Sequence, residues 1–292
     1  MNIGFLLVLL AGTVYSWSGP SHVIVYMIAR KEIGEKQCAL VDKIVNYLSE
    51  PENTYKNPYE IAMWADDMKM SHNFKALNEY HYYDQLFYDG IDPKDVTATV
   101  DPIYNVVNAV IISYNTIKQK PPYPYHFDGH FAKSFALRFL IHMVGDLHQP
   151  LHAAARCTPA LPGCDAGGNK FPVNIDAFTN NLHALWDHAM NKVQFKTRPY
   201  SNASINYYQN IADEIIKQFP RSSLSADLAI KDQWKIADKN FEVAVNYAYK
   251  GIKEGDKPTD EYLDTRYEIC KRQMALAGYR LADMLKEIVY VD

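Results

Sequence analysis

The stretch His142-Met143-Val144-Gly145-Asp146-Leu147-His148-Gln149-Pro150-Leu151-His152 decides how the rest of this chain is read. His142 and Asp146 stand four positions apart in an apolar run, so on an α-helix they share one face, one turn apart. Pro150 cannot continue a regular helix, so the chain turns there and His152 comes back from the next segment toward the same face. Imidazole with carboxylate is the ligand pair that a metal such as zinc takes where thiolates are absent.

Working outward, the spacing recurs in His183 and Asp187, within Asn181-Leu182-His183-Ala184-Leu185-Trp186-Asp187. A further carboxylate, Asp66, lies in Trp64-Ala65-Asp66-Asp67, and His81 opens His81-Tyr82-Tyr83-Asp84 fifteen positions later. One such pair is weak evidence, since a solvated surface or a satisfied core histidine explains it as well. Two pairs in apolar helices, with another His six positions after Asp146, point to a metal site. His72, His126, His130 and His188 fit no such pattern and read as ordinary surface or loop residues. His148 faces away from Asp146 on the helix, so it supports the ligands rather than joining them, and Asp67 is read as supporting or solvated. Trp64 and Trp186 are read as core or wall residues.

Apolar residues recur three and four apart over 21–31, 59–69, 101–118, 131–147, 207–219, 225–249 and 259–288, while alternating β-branched runs are nearly absent. Thr259 with Asp260 and Glu261 forms an N-terminal cap for the last of these. Proline-rich turns break the pattern at 121–124 and across 159–172. With neither a repeat nor a flexible linker, the expectation is one all-α domain over 17–292 that carries polar groups on facing helices. The chain has 292 residues, 48% of them hydrophobic, enough for one large core or two small ones. A formal net charge of −4 excludes a general basic field, so any attraction for phosphate must be local.

Residues 1–16 read as an export signal: an apolar stretch too short to span a membrane, followed by Val14-Tyr15-Ser16 at the cleavage positions. The mature protein is expected to be soluble, without a membrane anchor, and secreted or held in a secretory or lysosome-like compartment. Four cysteines suit that route. Cys157 and Cys164 share a Pro/Gly-rich loop and can close a small bridge. Cys38 and Cys270 either form a second one or remain buried thiols. Asn202-Ala203-Ser204 is an acceptor for N-linked glycan.

These motifs resemble those of the zinc-dependent single-strand nucleases and 3′-nucleotidases of fungi, plants and protists, which share a fold with bacterial zinc phospholipases C. The resemblance runs from Trp17 to about Lys286. It rests on an N-terminal Trp with His five residues later, W-A-D-D, H-Y-x-D, H-x-x-x-D-x-H-Q-P-L-H, G-G-N, N-L-H-x-x-W-D and a late A-G-x-R-L-A at 277–282. It implies three zinc ions: one on Asp66, His81, His142 and Asp146; one on His152, His183 and Asp187; and one on the α-amine and carbonyl of Trp17 with His22, bridged by Asp146. Cleavage after Ser16 then has a chemical meaning, since it frees the liganding amine. The resemblance further implies hydrolysis of single-stranded DNA and RNA to 5′-phosphates, and of 3′-nucleotides, with Asp66 and Asp146 central to the reaction. It places Tyr82 as a stacking surface for a base, Asp84 at the base edge, Lys69 on a phosphate, and Asn169 as an orderer of the adjacent loop.

The chain departs from the pattern at Lys69, at Ser21 and in the loop between His152 and His183, which is longer than in many relatives and carries Cys157 and Cys164. Lys69 stands where Arg is usual, keeping the charge and losing the two-pronged contact. Ser21 stands where Gly usually precedes the first His. A zinc phospholipase C and a non-catalytic zinc-binding protein are the rival readings. The Tyr82/Asp84 pair favours a nucleobase over a choline head group, and the complete ligand set favours turnover.

Overall fold

The computed structural model describes residues 17–48, 55, 57–70, 74–119 and 129–288. The leader at 1–16, the break at 121–124, and His72 and His126 lie outside the described residues. Within them the protein is a mainly helical single domain.

Helix α1 spans Gly19–Val45 and bends at Gly34, whose φ of 75° lies in the left-handed region that glycine enters at least cost. The apolar pattern stopped near Lys31, but the chain resumes its helix beyond that bend. A 3-10 turn, Glu60–Met63, leads into α2, Trp64–Met70, where one continuous helix was expected. A second 3-10 turn, Lys75–His81, precedes β1, Gln85–Tyr88. Helix α3 is Val106–Lys118, shorter than expected at its start. Asp101 accepts from the amides of Ile103 and Tyr104, and Asn105 caps the helix by accepting from the Asn108 amide. Helix α4 is Gly129–Leu147 and β2 is Ala154–Cys157. Then come α5, Leu182–Asp187; α6, Asn202–Gln218; α7, Ser225–Leu228; α8, Gln233–Val243, prolonged by a π-helical turn Ala244–Ala248; and α9, Asp260–Lys286. The single helix expected over 225–249 is therefore split. Asp232 has extended backbone, and its carboxylate caps α8 by accepting from the Trp234 and Lys235 amides. Thr259 caps α9, as its sequence position suggested.

Helix α4 is the centre of the fold. Every residue from Ala136 to Leu147 is buried, so it is covered all round. Helix α1 packs on α4, α6 and α9, and α3 covers α4 from another side. The contact of α1 with α9 is close: a methyl on Gly278 would stand 2.5 Å from Cγ2 of Ile28, which accounts for the glycine of the A-G-x-R-L-A motif. Trp64 and Trp186 are core residues, as expected. The two strands, which the sequence pattern did not reveal, pair in parallel with Gln85 opposite Ala154 and Tyr88 opposite Cys157.

Cys157 and Cys164 form a disulfide. Cys38 and Cys270 do not: both are free thiols. Cys270 is fully buried in α9, where burial raises its pKa out of the usual thiol range, and Cys38 donates to the Arg30 carbonyl of its own helix. Among the described residues no helix is long and apolar enough to cross a membrane.

Candidate metal centre

Five segments converge on α4. His142 and Asp146 lie on one face of that helix and both are buried. α2 brings Asp66, the turn before β1 brings His81, α1 brings His22, the turn after α4 brings His152, and α5 brings His183 and Asp187.

The carboxylate of Asp146 is divided between two groups of imidazoles. Oδ2 stands 2.9 Å from Nδ1 of His81 and 3.3 Å from Nε2 of His142. Oδ1 stands 3.3 Å from Nε2 of His22 and 3.5 Å from Nδ1 of His152. Asp66 Oδ1 approaches both His81 and His142 at 3.6 Å. On the far side, Asp187 places Oδ2 3.3 Å from His183 Nε2 and Oδ1 3.6 Å from His152 Nε2. Three sets have ligand atoms within 4.8 Å of one another: His81 with His142 and Asp146; His152 with His183 and Asp187; and His22 with Asp66 and His142. The second is the grouping expected from sequence; the first holds three of its four expected residues, with Asp66 falling in the third set instead. The third gives His22 a different company from the expected Trp17 and Asp146, although His22 also faces Asp146.

Ring orientation is fixed by outer partners. His142 donates from Nδ1 to the Ala62 carbonyl at 2.7 Å, His152 to His81 at 2.8 Å, and His183 to Gly167 at 2.7 Å. Each then turns the lone pair of Nε2 inward, the arrangement that metal-binding histidines use. His81 is reversed and offers Nδ1. Inside this shell, Nε2 of His152 and Oδ2 of Asp187 are buried without a hydrogen-bond partner, as atoms awaiting a cation would be.

The electrostatics agree. Burial, with His142 nearby, draws His22 down to about 4, and burial with Lys69 draws His81 to about 4, which keeps both imidazoles neutral. Burial acts to raise Asp146, but His142 and His152 prevail and hold it well below the carboxylate range. Burial pushes Asp187 up to about 7 against the pull of His183. Imidazoles, His22 and His81 among them neutral, beside three carboxylates make a donor set that suits zinc.

Lys69 is buried, with Nζ 2.8 Å from Asp66 Oδ1. Tyr82 and Asp84 line a cavity of about 410 Å³ together with Thr97, Ala155, Cys164 and Ala166. Burial and the nearby Asp165 raise Asp84 to about 7, and burial with Asp84 raises Tyr82 to about 12. Asn169 donates to the Ala166 carbonyl and so ties the loop that supports His183. Trp17 is buried, and the next amide, Ser18 N–H, donates to the Asp187 carbonyl at 3.0 Å. Asn202 is exposed at the start of α6.

The other motif and loop residues have partners outside the ligand set. His148 spends Nδ1 on Val144 and Nε2 on Arg280, and Asp67 holds Arg198 through two hydrogen bonds. His130 packs edge-on against Tyr47, and His188 bonds to Thr179. Gln149 was missed. It is fully buried, and its amide donates to Asp187 Oδ1 at 2.7 Å while its carbonyl accepts from the Leu151 amide. Its place between Asp146 and His152 was the available signal.

The profile of the S1/P1 nuclease family matches residues 17–290. Endonuclease 2 of Arabidopsis thaliana is 27% identical over 291 residues, covering 95% of this chain and 92% of its own. Nuclease S1 of Aspergillus oryzae is 27% identical over 297 residues, covering 94% and 93%. Nuclease P1 of Penicillium citrinum is 25% identical over 284 residues, covering 93% and 97%.

Proposed function

This chain belongs to the S1/P1 nuclease family, and from that premise we propose that it is an exported, zinc-dependent nuclease hydrolysing single-stranded DNA and RNA, with 3′-nucleotidase activity. The observation that carries the reading is the divided carboxylate of Asp146, one oxygen toward His81 and His142 and the other toward His22.

Asp66, His81, His142 and Asp146 would hold one zinc, and His152, His183 and Asp187 a second. His22 and Asp146, with the amine and carbonyl of Trp17, would hold a third. Removal of 1–16 creates that amine, so the active domain is 17–292. When bound, zinc supplies Lewis acidity to phosphate oxygens and lowers the pKa of water toward about 7. Asp66, hydrogen-bonding distance from Lys69, orients the attacking water, and Lys69 sets a positive charge beside the phosphate. Tyr82 offers a ring for stacking, an interaction indifferent to base identity and worth roughly 1–3 kcal/mol. Asp84 bonds to the base edge, and Asn169 keeps the adjoining loop in place. Asn202, which is exposed, would take a glycan during export.

The test is mature protein, starting at Trp17, on denatured DNA, RNA and phosphatidylcholine, with and without chelator. Hydrolysis of both nucleic acids that stops with chelator is the expected result. Release of the lipid head group with no nucleic-acid cleavage would overturn it.

A further inference from the structure

The A-G-x-R-L-A motif lies outside the metal-ligand set, and its arginine has no role in the reading above. Arg280 is 7% exposed on α9. It donates from Nη1 to His148 Nε2 at 2.6 Å and from Nη2 to the Asp227 carbonyl at 2.7 Å. A guanidinium has five N–H donors, and Nε is buried with no partner. No carboxylate of the described residues pairs with it. Asp227 gives its carboxylate to Arg272, and Asp283 gives both oxygens to Arg221 and Lys231. Burial draws Arg280 down to about 10, as expected of a cation deprived of water. Asp227 and Asp283 offset part of that cost from a distance, but a buried cation without a direct ion pair remains costly.

Arg280 lines a cavity of about 220 Å³ between α8, its π-helical turn and α9. Lys239 and Arg272 also line it, each paired with a carboxylate of the same wall, Glu242 and Asp227, so Arg280 is the lining's excess positive charge, and the buried amides of Asn240 and Gln273 add polar atoms. A water claims roughly 30 Å³ of liquid volume, so the space admits a small ion with part of its hydration. Glu242 and Asp227, also in the lining, disfavour a polyanion such as a nucleic-acid strand.

We propose that this cavity is an anion site, distinct from the metal centre, that takes one small inorganic anion (a halide or a single tetrahedral oxyanion) as the counter-ion of Arg280. The site connects to the ligand-bearing turn through side chains of its own wall. Arg280 holds His148, Gln273 donates to the His148 carbonyl, and Asn240 donates to the Leu147 carbonyl, directly after Asp146. An occupant therefore steadies the turn that leads from Asp146 to His152.

The experiment uses zinc-loaded mature protein, with bromide as the halide probe and sulfate as the oxyanion. Crystals soaked in bromide should show anomalous density beside the Arg280 guanidinium, and Arg280→Gln should lose it. Because that variant could fail to fold, Val243→Glu is the second arm, since it brings a carboxylate to the cavity wall. It should raise Tm in anion-free buffer, lose the bromide and shrink the Tm gain that wild type shows with bromide or sulfate. A wild-type cavity without anomalous density overturns the proposal. So does a Val243→Glu protein that binds bromide as wild type does.

Discussion

A methyl group on Gly145 would stand 2.6 Å from Nδ1 of His22. The missing side chain leaves the groove into which the imidazole of α1 fits, where it stacks on His142 with ring centres 3.7 Å apart. Alanine is ordinarily better than glycine inside a helix by about 1 kcal/mol. Gly145→Ala should instead destabilise the protein and lose the metal held through His22 while retaining the others. Elemental analysis and Tm decide it: a more stable variant with full zinc content would remove His22 from the ligand set.

Asp146→Asn should cost more activity than the roughly 10- to 100-fold typical of outer partners of ligands, because the residue serves two groups of histidines at once. Asp84→Asn should leave zinc content unchanged and alter relative rates among the bases. Equal zinc loss in both variants would dissolve the division between metal centre and base pocket.

Gln149→Leu keeps approximate volume and removes the donor to Asp187 Oδ1. The expected outcome is a 10- to 100-fold weaker hold on the zinc of His152, His183 and Asp187, read as faster loss to a chelator. An unchanged release rate would show that Asp187 needs no such partner.

Cys157 and Cys164 close a loop with a sequence separation of 7, just ahead of the Gly167 carbonyl that orients His183. Replacing both with Ser should cost about 2–3 kcal/mol on the chain-entropy account, measured by denaturant unfolding. Retention of full stability would mean that the loop is already held by Asp165 and Asn169.

One extra Gly before Trp17 would convert the proposed liganding amine into an amide, a very poor donor to zinc. Such a chain should bind less zinc and hydrolyse single-stranded DNA more slowly than one starting at Trp17. Equal zinc and equal rates would make Trp17 a packed aromatic and nothing more.

The metal-type residues were legible because a cation imposes residue type and helical spacing together, as at His142/Asp146 and His183/Asp187. The mainly helical class was legible because α4 and its neighbours repeat apolar residues at the helical period. What stayed hidden depends on events without periodicity. Asp232 and Asn105 reset helix ends with a single side-chain cap, and β1 and β2 are too short to show alternation. Gly145 and Gly278 matter only for what another helix places beside them. Cys38 and Cys270 stay free thiols, an outcome that a count of cysteines does not contain.

The short parallel ladder has a mechanical meaning. The amides of Tyr83 and Asp84 donate to the His152 carbonyl, at 2.7 and 3.3 Å, and Gln85 continues to Ala153. The segment that would grip a base is thus splinted, main chain to main chain, onto the segment that carries a metal-type histidine. The offset from one to the other is a fixed gauge, set by main-chain hydrogen bonds. On the proposed reading, Asp84→Asn would retune which base is preferred while the gauge, and with it the bond presented for cutting, stays where it is.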